Sequence, residues 1–186
     1  VKVESEVLRE TQLVVCLLFQ YAGMSFVDFA HLKERNIKNG ILDYNRQKTG
    51  TPMRLEILDT AELMRKELMG DKKPASGYLF PFLSGTKTGY EAYLEYNAAL
   101  SRFNRNLKAL KKAAGIASDV TSYTIRHSFA MALKEQNVPI EMISELLGHK
   151  SIKTTQIYLR SFSLEKMTEV NSTCFGCVYN YVSKVG

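Results

Sequence analysis

The chain has 186 residues, 45% of them hydrophobic, with a net charge of +6 and a pI of about 9.2. That length and apolar content suit one compact domain with a real core. No apolar run reaches the roughly 18 residues that span a bilayer, the nearest being residues 13–19, and no signal peptide precedes it. A soluble, cytosolic protein is expected, and a chain that begins at Val1 reads as a fragment. Three cysteines, Cys16, Cys174 and Cys177, are an odd count at wide spacing, which argues against a disulfide framework. Cys174 and Cys177 form a single CxxC with no second ligand pair for zinc and no βαβ context for redox chemistry, so they read as coincidence. The basic balance favours a phosphate-bearing partner, because lysine and arginine displace condensed counterions, although many basic proteins never meet DNA.

In chain order, residues 7–19 and 24–32 read as helices, the second with Phe26, Phe29 and Ala30 at helical spacing. Asn39-Gly40 marks a turn. Residues 41–46 and 53–58 are strand-like, and the loop between them carries Gly50 and Pro52, which predicts a β-hairpin with Lys48 at its tip. Residues 59–70 predict a helix capped by Asp59 or Thr60, and residues 78–82 a short edge strand. Residues 88–113 are strongly helical, with Leu100, Phe103, Leu107 and Leu110 on one stripe. Arg102, Arg105, Lys108, Lys111 and Lys112 lie on other faces, as either a solvated surface or a phosphate track. Helices over 122–136, 139–147 and 151–160 follow, the second closed by Gly148 and the third capped by Ser151. Residues 163–169 add a short helix, and the tail from Asn171 has no period.

The chemistry concentrates in the last three helices. Arg126 lies on the first, His149 follows the glycine that stops the second, and Tyr158 lies about two turns into the third. Short helices with tight turns can bring these side chains together. An arginine fork suits phosphate oxygens, a histidine donates or shuttles a proton, and a tyrosine is an oxygen nucleophile once deprotonated. Each residue alone is ordinarily structural, and spacing leaves the matter open.

The segments Arg126-His127-Ser-Phe-Ala and Leu147-Gly148-His149, with Tyr158 nine positions after His149, resemble the tyrosine recombinase (phage integrase) family. Gly23-Met-Ser-Phe-Val-Asp28 and the hairpin Arg46-Gln-Lys48-Thr-Gly50 are similar to the integrase branch on mobile elements of gut anaerobes. The resemblance covers roughly residues 7–165. It implies a mainly helical α+β fold with a small antiparallel sheet, in which Tyr158 attacks the scissile phosphate to form a 3′-phosphotyrosine. Arg126 and His149 would hold the non-bridging oxygens, and Lys48 would protonate the leaving 5′-oxygen. No metal and no ATP are implied.

Two positions depart from the family pattern. Tyr123 stands where the family's box begins with histidine; a phenol can bond a phosphate oxygen but is a poor base near neutral pH. The family's early arginine is missing, since Ala22, Gly23 and Ser25 occupy that region. Arg46 either supplies the missing guanidinium or only contacts the DNA backbone; otherwise the domain is impaired.

His127, about 100° around the helix from Arg126, and His31 read as packing residues, and Asp28 as a structural hydrogen-bond partner. Lys150, Lys153, Arg105, Lys108 and Lys112 are the expected DNA contacts. The expected organisation is a catalytic domain over 1–170 and a tail over 171–186 that docks on a neighbouring protomer. The resemblance also implies a separate N-terminal DNA clamp and a tetramer on two duplexes. The function implied is site-specific DNA recombination. The alternatives are an assembly module with a decayed active site and topoisomerase-like relaxation.

Overall fold

The computed structural model describes residues 3–74 and 77–159. Helix α1 (Glu6–Gln20) buries Leu13, Val14, Leu17 and Leu18, an i, i+4 pair of rows that makes it the central helix of the core. It packs against α3 (Asp59–Met69), α4 (Gly89–Ala113) and α5 (Ser122–Glu135). Between α1 and α5, Tyr21 ends the helix and Gly23 turns the chain at φ 63°. A side chain at Gly23 would place its Cβ 2.9 Å from the Phe129 ring of α5, so glycine answers both the backbone and the space.

Helix α2 (Phe26–Ala30) is shorter than its sequence pattern predicts. Ser25 caps it, and His31 ends it with Nδ1 2.8 Å from the Val27 carbonyl. A short 3₁₀ turn over Glu34–Asn36 leads to the sheet. Strands β1 (Ile37–Lys38), β2 (Ile41–Asn45) and β3 (Pro52–Glu56) are antiparallel in that order, with Asp43 opposite Arg54 and Tyr44 opposite Met53. Leu42, Tyr44 and Met53 point into the core while their neighbours face out, the alternation of a half-buried sheet.

Two expectations are corrected. Residues 78–82 form no strand: only a lone bridge joins Tyr78 to Lys33, and Pro81 has no N–H for a ladder. This run instead supplies aromatic core. Phe80 stacks on Phe29 at 4.1 Å, and Phe82 meets Phe26 edge-on at 5.3 Å. Helix α3 takes no side-chain cap from Asp59 or Thr60; both lie inside it and Leu58 precedes it.

The last three helices follow their sequence signals. Thr121 forms a capping box with Thr124 ahead of α5. Helix α6 (Ile140–Leu146) starts after Pro139. Ser151 caps α7 (Ile152–Tyr158) through the Lys153 amide. Ala130, Ile143 and Leu147 form a small second core beneath them, joined by Phe129, Leu133, Val138 and Leu159. The expected helix over 163–169, the tail over 171–186 and its CxxC lie outside the described residues. Among the described residues no helix is long and apolar enough to cross a membrane.

Candidate active site

The site forms where the hairpin end of the sheet meets the α6–α7 turn. Arg126, on α5, is only 5% exposed. Its Nη1 donates to the Gly23 carbonyl at 2.9 Å, and its Nη2 donates to the Leu147 carbonyl. Arg46 follows β2 and is 8% exposed. Its Nη1 donates to the carbonyls of Leu147 and Gly148, each at 3.1 Å, and its Nε lies 3.4 Å from Asp28 Oδ2. Two guanidiniums from distant parts of the chain therefore converge on one carbonyl oxygen. Leu147 can hold that oxygen still because its own side chain is locked in the small second core.

Asp28 makes the Arg46 position possible. It is 2% exposed and accepts from the Ser25 hydroxyl at 2.6 Å, the Gln47 amide at 2.7 Å and Arg46. One buried carboxylate thus ties α2 to the hairpin turn. The expectation of a structural role for Asp28 agrees with these bonds. Through Asp28, Arg46 is tied to Ser25, while Arg126 reaches the Gly23 carbonyl of the same segment.

Gly148 sits against the same arginine. Its φ is 62°, and a Cβ there would lie 2.8 Å from Arg46 Cδ and would collide with Met53 Sδ. Gly148→Ala must therefore strain the backbone and push Arg46 or Met53 aside. The expected cost is about 1–3 kcal/mol, read as a lower denaturant midpoint. An unchanged midpoint would show that the hairpin moves away freely.

His149 lies in the turn after Gly148. Its Nδ1 is 2.9 Å from Thr155 Oγ1, and its Nε2 is 3.4 Å from Arg126 Nη2. Burial, then the charges of Arg126 and Arg46, push its pKa down from 6.5 to about 4. The unfolded chain then binds the proton more readily than the folded one. The stabilising contribution is present above about pH 6.5 and is lost as pH falls toward 4. His149→Gln should flatten the acid side of a melting-temperature curve across that window; a curve as steep as the parent's would exclude His149 as its source.

The remaining expected residues are placed as follows. Lys48 is exposed in the turn between β2 and β3, as the hairpin reading requires. Tyr123 opens α5 and is 59% exposed, three residues ahead of the buried Arg126. Lys150 and Lys153 are exposed around the start of α7. Arg105, Lys108 and Lys112 are exposed on α4 at spacings that share one face. Asn104 of that helix accepts from the Ser122 amide, which ties α4 to the beginning of α5. Tyr158 is the last residue of α7. Thr155, a residue the sequence reading passes over, is fully buried behind His149. Among the described residues no three His, Cys, Asp or Glu side chains gather as a metal would need.

This arrangement is a buried cluster of fixed donors at the hairpin end of the sheet, with α7, whose last residue is Tyr158, beside it. Residues 4–165 match the phage integrase family, and the chain belongs to it. Among curated relatives, 54 residues are 52% identical to tyrosine recombinase XerD of Lacticaseibacillus casei, covering 29% of this chain and 18% of that protein. Another 41% identity over 75 residues links it to tyrosine recombinase XerC of Rickettsia typhi, covering 40% of this chain and 24% of that one. The matched stretches are thus a quarter or less of those relatives' length. The fold is that of the XerA recombinase crystal structure, at TM-score 0.63 and 21% identity over 92% of this chain and 64% of the other. It is also similar to the Tn1549 transposon integrase in complex with a circular intermediate DNA, at TM-score 0.66 and 15% identity over 91% of this chain and 60% of the other.

Proposed function

We propose that this chain is the catalytic domain of a site-specific DNA recombinase that cleaves and rejoins duplex DNA through a 3′-phosphotyrosine. The observation that carries the reading is the convergence of Arg46 and Arg126 on the Leu147 carbonyl, next to His149. A phosphodiester oxygen has the acceptor character of that carbonyl and a full charge besides, so it competes for the same donors. Donors already fixed and desolvated stabilise the crowded phosphorane without reorganising during the reaction.

Each residue then has a role. Tyr158 is the nucleophile, Arg126 and Arg46 hold the non-bridging oxygens, and His149 completes the pocket. Lys48, on the exposed turn, reaches the leaving 5′-oxygen and protonates it. Arg46 replaces the guanidinium that the family carries near Gly23. Tyr123 is exposed at the edge of α5 and contributes a hydrogen bond to the DNA backbone. Lys150 and Lys153 contact phosphates beside the pocket, and Arg105, Lys108 and Lys112 track the backbone along α4. Four copies act on two duplexes in the bacterial nucleoid, with residues 171–186 docking on a neighbouring protomer. The DNA complexes among the fold's neighbours, XerH on its difH substrate included, support DNA as the partner.

A nicked duplex carrying an end of the element that encodes the chain tests this. Cleavage releases the short strand downstream, traps the protein on DNA, and after proteolysis leaves the nucleotide on Tyr158. A nucleotide mapped to another residue overturns the assignment. No adduct at all favours the decayed assembly module. Exchange between two marked duplexes separates recombination from simple relaxation.

A further inference from the structure

His149 has a second anchor, used by none of the roles above. Thr155 is 0% exposed and lies on α7, three residues before Tyr158. Its Oγ1 is 2.9 Å from His149 Nδ1. The other ring nitrogen, Nε2, is 3.4 Å from Arg126 Nη2. A guanidinium has N–H donors and no acceptor. At 3.4 Å, and with Nη2 already donating to the Leu147 carbonyl, this contact favours a lone pair on Nε2 without fixing it; the shorter bond to Thr155 Oγ1 completes the assignment by accepting a proton held on Nδ1. The burial of the ring and its two cationic neighbours favour the same neutral state.

A tyrosine hydroxyl needs a proton acceptor as it attacks phosphorus. The position where the family pattern has histidine is held by Tyr123, a phenol more than half exposed. His149 is the imidazole in the pocket, and Thr155 joins it to the helix that ends in Tyr158.

We propose that Thr155 is a positioning residue for strand cleavage: its buried hydroxyl accepts the His149 Nδ1–H and so leaves Nε2 as the base that takes the Tyr158 proton. This rests on the recombinase reading above. In the step, the Tyr158 O–H proton passes to His149 Nε2 and the phenolic oxygen forms a bond to phosphorus. The bond from phosphorus to the 5′-oxygen breaks with its electron pair on that oxygen, which takes a proton from Lys48 Nζ. The imidazolium then carries Nε2–H and donates it to a phosphoryl oxygen. Thr155 accepts Nδ1–H in both ring states, so the ring keeps its orientation while its charge changes.

Nitrogen-15 histidine spectra of the DNA-free chain test this without any cleavage. The chain has three histidines, and His149→Gln assigns the signal. The parent should show the Nδ1–H tautomer at neutral pH, and Thr155→Ser should retain it. Thr155→Val, which keeps the shape and removes the hydroxyl, should shift the ring toward Nε2–H. On the nicked duplex, Thr155→Val should slow adduct formation by up to about 100-fold, the order expected when a reacting group is misplaced by about 1 Å, while Thr155→Ser stays near the parent rate. A parent ring protonated at Nε2, or a Thr155→Val ring with the parent's tautomer, overturns the proposal. If Thr155→Val does not fold, the parent's own tautomer decides. A parent that shows the Nδ1–H tautomer but forms no adduct overturns the recombinase reading, and with it the base role, while the Thr155 anchor stands.

Discussion

Tyr158→Phe should form no covalent adduct with the nicked duplex while binding it with the parent's affinity. The substitution removes one oxygen and nothing else from the side chain. If that oxygen is the nucleophile, the nearby hydroxyl of Thr155 does not replace it, because Thr155 is fully buried and bonded to His149. Loss of a primary nucleophile ordinarily costs on the order of 10⁴-fold or more in rate. Single-turnover time courses, with a filter-binding control on the same DNA, read both quantities. Residual adduct in Tyr158→Phe would move the nucleophile to another residue, and lost binding would mean that the phenol holds DNA as well as attacking it.

Arg46→Ala is expected to act on stability and on rate together. It leaves Asp28 buried without its cationic partner and removes a donor from the carbonyls of Leu147 and Gly148. Breaking one side of a buried ion pair costs about 3–5 kcal/mol. Removing one preorganised donor from a charged transition state costs about 10²–10³-fold in rate. Cleavage is therefore measured at a temperature where urea curves show both proteins folded. Arg46→Lys keeps the charge, but a single ammonium cannot span Asp28 and two carbonyls as the guanidinium fork does. It should recover stability more fully than rate. An Arg46→Ala protein that is folded and cleaves at the parent's rate would reduce Arg46 to a structural tie between α2 and the hairpin.

The sequence makes most of the helices legible because their signals are local. Helix α4 follows the apolar stripe that ends at Leu110, and α5 and α7 begin at Thr121 and Ser151, whose hydroxyls accept from the first turn. The hairpin is legible from its turn residues. Residues 78–82 mislead because an apolar aromatic run suits an edge strand and an irregular core segment equally, and only contacts with Phe26 and Phe29 decide between them. Strand β1 has two residues, too few to show alternation. Within the site, Arg126, His149 and Tyr158 stand out by their spacing and family likeness. The bond from Arg46 to Leu147 crosses 101 positions of sequence, so no local signal shows it and only the folded hairpin brings the two together. Thr155 gives a weaker signal: its place one turn before Tyr158 is visible, but its bond to His149 depends on how α7 leaves the Gly148 turn.

The convergence on Leu147 also sets the electrical state of the site. Among the described residues, two buried guanidiniums, Arg46 and Arg126, face one buried acid, Asp28, so the cluster rests with one positive charge in excess. One phosphodiester carries the single negative charge that neutralises it. A phosphorane with a second negative charge is matched in turn if the Tyr158 proton stays on His149 instead of leaving for solvent. Neutrality is then preserved from bound substrate to transition state, in a pocket where an unmatched charge is costly. A neutral or doubly charged linkage at the same place breaks that match: a methylphosphonate forfeits the attraction of the guanidiniums, and a terminal phosphate leaves one charge uncompensated. On the recombinase proposal, such a charge balance would favour the interior of a DNA strand over its ends.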